Sequence, residues 1–80
     1  MSNQTTVVYM NNEIERLKAE IKRLEGMIAE YQSELENAKL KRDYWRYGKY
    51  RSMIESVNGR IDRLVGDIHV DENCIAIFSR

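Results

Sequence analysis

Apolar residues recur at alternating steps of three and four along the first half of the chain: Ile14, Leu17, Ile21, Leu24, Ile28, Tyr31, Leu35 and Ala38. Steps of this kind keep one stripe on one face of a helix, so the segment folds as a helix that meets a second helix along that stripe. The register runs through four heptads without a slip. It places Ile14, Ile21, Ile28 and Leu35 at a and Leu17, Leu24, Tyr31 and Ala38 at d. Isoleucine at a with leucine at d favours two-stranded parallel packing, which Tyr31 and Ala38 loosen in the later layers.

The flanking charges do not choose an orientation. In a parallel pair Glu13 faces Lys18 and Glu34 faces Lys39, but Glu20 faces Glu25 and Lys41 faces Arg46. Asn12 followed by Glu15 has the form of a capping box just ahead of the stripe, which predicts a helix start near Asn12.

A second stripe runs through Tyr47, Tyr50, Ile54, Val57, Ile61, Leu64 and Ile68, out of phase with the first. Carrying the first register forward would bury Lys49 and Ser56, so the phase change needs a break. Gly48, after a basic last turn, is the residue best suited to a left-handed C-cap. The prediction is a mainly all-α single domain. It has a long heptad helix over residues 12–47, a second helix over 49–68, and extended segments over 1–11 and 69–80. The two helices form an antiparallel hairpin or coiled coil. The competing arrangement is one continuous helix that buries opposite faces before and after residue 46. Asn58 and Gly59 are a turn signal inside the second helix, but the apolar spacing passes through them. Gly26, Gly59 and Gly66 fall at f positions, away from the stripe, where each costs about 1 kcal/mol of helix propensity.

At about 1.5 Å per residue the predicted helices are roughly 50 and 30 Å long, so the shorter cannot cover the longer. Ile14, Leu17, Ile21 and Leu24 are then left for another copy of the chain or for the two termini; a homodimer or higher oligomer is expected, with an intramolecular core as the alternative. The two ends offer a further element. Thr5-Thr6-Val7-Val8-Tyr9 and Cys74-Ile75-Ala76-Ile77-Phe78 are β-prone runs that a hairpin would bring to the same end as a small strand pair, with Asp71-Glu72-Asn73 as the approach turn.

Composition narrows the chemistry. Eighty residues are close to the limit at which one core offsets the entropy of ordering the chain. The lone Cys74 excludes an internal disulfide, and His69, the only histidine, has no second thiol to join it in a zinc site. No metal or cofactor is expected. Thirteen basic and thirteen acidic residues cancel, so no global field draws the chain to nucleic acid or a membrane surface. The sequence has neither an apolar run long enough to span a bilayer nor a leader pattern, and a reducing cytosolic setting is expected.

The charge that exists is segregated. Lys39, Lys41, Arg42, Arg46, Lys49 and Arg51 fall with Tyr44, Trp45, Tyr47 and Tyr50 in one window, residues 39–51, whose net charge is +5 against −3 for residues 11–38. Cations with aromatic faces hold phosphates and stack on bases, and the same residue types dominate protein interface hot spots. They also serve a purely structural end, with cations stabilising a helix C-terminus and aromatics closing a two-helix core. His69 reads as a solvated or capping histidine, and Cys74 as a packed thiol, with nothing to join them as a catalytic dyad. Asp67, Asp71, Glu72 and Asn73 lack calcium-loop spacing.

No catalytic arrangement being legible, the expected function is that of a small non-enzymatic interaction protein. It would bind and modulate or inhibit a larger protein with an acidic surface through the 39–51 patch. Chains of this size and style occur as regulators, adaptors and virus-encoded inhibitors of host defence, a parallel of style alone. An oligomeric nucleotide or nucleic-acid binder using the same patch, and a purely structural scaffold segment, are the alternatives.

Overall fold

In a computed structural model, which describes residues 2–79, the chain forms two antiparallel helices, α1 (Ser2–Leu40) and α2 (Tyr44–Phe78). They pack along their whole length into a rod whose Cα extents are 61 × 14 × 12 Å. The helical hairpin expected from the two stripes is present. The chain reverses between the stripes, so the continuous-helix alternative is not the arrangement adopted.

The turn is not at Gly48, which lies inside α2. It spans Lys41 to Asp43, and its hydrogen bonds explain it. The amide of Asp43 donates to the carbonyl of Ala38 (2.9 Å) and that of Arg42 to Lys39 (3.2 Å). This is the paired bonding of a Schellman C-cap, with the left-handed residue at the position where glycine is usual. Here that residue is Arg42, at φ 54°. Asp43 then caps α2, its Oδ1 accepting from the Arg46 amide at 3.2 Å.

Both helices extend beyond their predicted limits toward the chain ends, and α2 also starts earlier than expected, while α1 stops at Leu40, short of the predicted residue 47. Asn12 and Glu15 lie within α1, exposed, and do not start it. The β-prone runs at residues 5–9 and 74–78 are helical, and no strand occurs among the described residues. Packing accounts for this at the C-terminal end. Ile75 continues the stripe of Ile61, Leu64 and Ile68, and it packs against the cluster of Ile14, Leu17 and Ile68. The tertiary contact outweighs the local strand preference of a β-branched run.

That extension changes the account of the seam. At about 1.5 Å per residue, α1 is about 58 Å and α2 about 52 Å long, so α2 reaches the residues a shorter helix would leave bare. Ile14, Leu17 and Leu24 are buried by their own chain, Leu24 most deeply at 2 % exposure. Ile21, Ile28, Tyr31 and Leu35 are half-buried along the same line. The stripe assigned to a second copy is the intramolecular core. The length argument for self-association through it no longer applies, because α2 is longer than the turn signals suggested.

Few polar contacts cross between the helices. Arg60 Nη2 approaches Glu20 Oε1 at 3.9 Å, and the Tyr31 and Tyr50 rings pack tilted at 41° with centroids 6.0 Å apart. Glu20 also accepts from Arg23 (Nε to Oε2, 3.0 Å), and this bond, helped by the charges of Arg23 and Arg60 against some desolvation, holds its carboxyl below the usual glutamate range.

Candidate functional site: a basic aromatic tip

The turn places the 39–51 window at one end of the rod, and the three-residue connection decides which side chains face outward. Lys39 ends α1, Lys41 and Arg42 occupy the turn, and Tyr44, Trp45 and Arg46 form the first turn of α2. All six are exposed, Tyr44 at 80 % and Trp45 at 73 %. Lys39, Lys41 and Arg42 make no ion pair among the described residues. Arg46 is drawn to Asp43 (Nε to Oδ2, 3.6 Å) and Arg51 to Glu55 (3.9 Å), so these two cations are partly answered from within the chain.

The other aromatics of the window do different work. Tyr47 is half-buried, and Tyr50 is half-buried against Tyr31, so both close the end of the two-helix core. Lys49 lies over the Trp45 ring (Nζ to centroid 5.4 Å) and near that of Tyr50 (5.8 Å), within the range of cation–π attraction. The residues singled out in the window thus divide into an outward patch and a structural stopper.

Leu40 belongs to the patch and was not among the residues singled out from the sequence. It is 82 % exposed, beside Lys39 and Lys41 at the end of α1. The heptad register was a sufficient signal, because it assigns Leu40 to an f position, where a leucine has no intramolecular reason to be. Between Leu40, Tyr44 and Trp45 the tip exposes three large apolar side chains among cations. A shallow groove of about 280 Å³ opens beside them, floored by buried Ala38 and lined by Lys39, Arg42, Tyr44 and Tyr47.

The remaining candidates are not brought together. His69 and Cys74 lie on α2 at the opposite end of the rod from the tip. The imidazole Nδ1 lies 3.5 Å from Glu72 Oε1 one turn away, and Cys74 is half-buried in a helix instead of a strand. Asp71, placed in a turn by the sequence, is also in α2, where its Oδ2 is buried without a hydrogen-bond partner. Among the described residues no three His, Cys, Asp or Glu side chains form a metal-binding cluster, and no helix is long and apolar enough to cross a membrane.

Comparison of the chain with protein-family models, curated proteins and solved structures gives no match. Any functional reading therefore rests on the tip itself.

Proposed function

We propose that the chain is a small, non-enzymatic helical-hairpin interaction protein whose tip docks on an acidic surface of a larger protein and modulates it. The observation that carries this reading is the joint exposure of Leu40, Tyr44 and Trp45 beside Lys39, Lys41 and Arg42. Large apolar side chains left in water by a protein this small mark a contact surface, and tryptophan, tyrosine and arginine are the residues on which interface energy concentrates. The surrounding cations select an acidic partner and accelerate encounter, while the helical stem holds the patch on rigid elements.

The test is binding of the isolated partner to wild type and to a Leu40→Ser/Tyr44→Ala variant. Truncating hot-spot side chains weakens affinity by about 2 kcal/mol or more, roughly thirty-fold. Equal affinity of the two proteins would remove the tip from the account.

One observation favours a second reading. The groove sets two cations, Lys39 and Arg42, against two tyrosines, Tyr44 and Tyr47, which is the chemistry that holds an anionic aromatic ligand such as a nucleotide. Phosphate contacts lose affinity linearly in log salt. If neither nucleotides nor single-stranded nucleic acid shift the melting temperature at low salt, this reading is discarded.

A further inference from the structure

The charge along the rod is polar in the vectorial sense. The tip carries +5 over residues 39–51. Among the described residues, the open end of the hairpin carries Glu13, Glu15, Asp67, Asp71 and Glu72 against Arg16 and Lys18. The exposed apolar residues follow the same division. Leu40, Tyr44 and Trp45 stand at the tip, and Val8, Tyr9, Val70, Ile77 and Phe78 stand at the open end. Between the ends, among the described residues, Val65 at 38 % is the one large hydrophobic of comparable exposure.

The amount of surface left bare is also large. The chain exposes 6303 Å², against about 5,000 Å² expected of a compact monomer of its mass. The difference exceeds the roughly 800 Å² per partner that a standard interface buries. A rod with oppositely charged ends brings unlike charges together when a second rod is reversed beside it.

One face of α2 carries both ends. Trp45, Ser52, Ser56, Gly59, Arg63, Gly66, Val70 and Ile77 recur at helical spacing opposite the core stripe, and all are exposed. With two copies of α2 antiparallel and centred near Ile61, position 45 faces position 77 and position 52 faces position 70. Trp45 then covers Ile77 of the second copy, and Ser52 lies by its Val70. Nothing occupies the space within 4 Å of a Cβ built on Gly59, which gives Arg63 of the second copy room.

We propose that two copies of the chain pack side by side and antiparallel along this outer face of α2, each basic aromatic tip lying over the acidic apolar open end of the other. This contact is distinct from the a/d stripe, which the hairpin has already consumed. It buries Ile77 and Val70, two of the apolar residues exposed at the open end. Parallel packing through the same face would set like-charged ends together, and charge therefore selects the reversed orientation. The contact is isologous and closes as a dimer, whereas end-to-end docking of tip on open end would build an open chain.

The experiment is sedimentation of the full chain at low and high salt, beside a Val70→Ser/Ile77→Ser variant. Both positions are exposed and remote from the tip, so the substitutions leave the surface invoked for partner binding untouched. Circular dichroism checks that helix content is kept. The expected result is a reversible dimer, weakened about tenfold by high salt and about tenfold or more by the double substitution. A second measurement does not depend on the variant's stability. In a Cys74→Ser background, oxidising a mixture of Trp45→Cys and Ile77→Cys chains yields a cross-linked heterodimer, and Trp45→Cys chains alone yield none. A strictly monomeric wild type at high concentration, mass that grows past the dimer, or efficient Trp45→Cys homodimer cross-linking would each overturn the proposal.

Discussion

Replacing Arg42 with glycine should make the protein more stable, although it deletes a long side chain from a turn. Arg42 holds φ 54°, a left-handed conformation imposed by the two hydrogen bonds that close α1 through Asp43 and Arg42 itself. For a residue with a Cβ that conformation costs about 1–2 kcal/mol, because the Cβ crowds the following carbonyl oxygen. Glycine removes the clash but gives the unfolded chain more freedom, returning about 0.5–1 kcal/mol. The net gain is about 0.5–1 kcal/mol, or about 2–8 °C in Tm for a chain of this size. The guanidinium is exposed and makes no ion pair among the described residues, so its loss adds little. Arg42→Ala separates the effects, since it removes the charge and keeps the Cβ. Urea unfolding followed at 222 nm should rank Arg42→Gly above wild type and Arg42→Ala close to it, with equal m-values. Glycine no more stable than alanine would refute the reasoning, because the left-handed turn would then not be where the strain lies.

Asp43→Ala removes the side-chain acceptor of the Arg46 amide and should cost about 1 kcal/mol in the same unfolding assay. Leu24→Ala, at the most deeply buried position, should cost about 2–5 kcal/mol, whereas Leu40→Ala at 82 % exposure should stay within about 0.5 kcal/mol of wild type. The Glu20 carboxyl is held below its ordinary value by the Arg23 hydrogen bond. A group with a lowered folded-state pKa contributes stability above its unfolded value and loses it as pH falls through the lowered folded value. The stability advantage of wild type over Glu20→Gln should therefore be constant at neutral pH and vanish in acid, as read from urea midpoints across pH.

The two stripes were legible because every core position on them is apolar or aromatic, and they lie face to face in the structure as their spacing required. The turn was misplaced for a physical reason. Glycine is the common left-handed C-cap, and the sequence offers Gly48 only a few residues beyond the true break. A Schellman turn carried by arginine leaves no compositional trace; the signal that did exist was Asp43 ahead of Arg46, an N-cap pattern. The far end of α2 was lost because Asp71 interrupts the apolar stripe between Ile68 and Ile75, and because the residues beyond it are strand-formers. The packing of Ile75 on Ile14 and Leu17, remote in sequence, favours helix there. That one misjudged boundary also produced the expectation of an uncovered seam. At the tip, the charge and aromatic content could be read directly, but the division between outward Tyr44 and Trp45 and inward Tyr47 and Tyr50 depends on where the turn falls. Leu40 could have been found from its register alone.

The account rests on α1 being covered by α2 of the same chain. The most direct measurement is the intrachain distance between spin labels at Glu15→Cys and Glu72→Cys, exposed positions that line the same crevice, in a Cys74→Ser background with labelled chains diluted into unlabelled ones. A short distance between facing positions is the predicted result. A distance near 85 Å, which 57 residues of continuous helix would span at about 1.5 Å each, would contradict it.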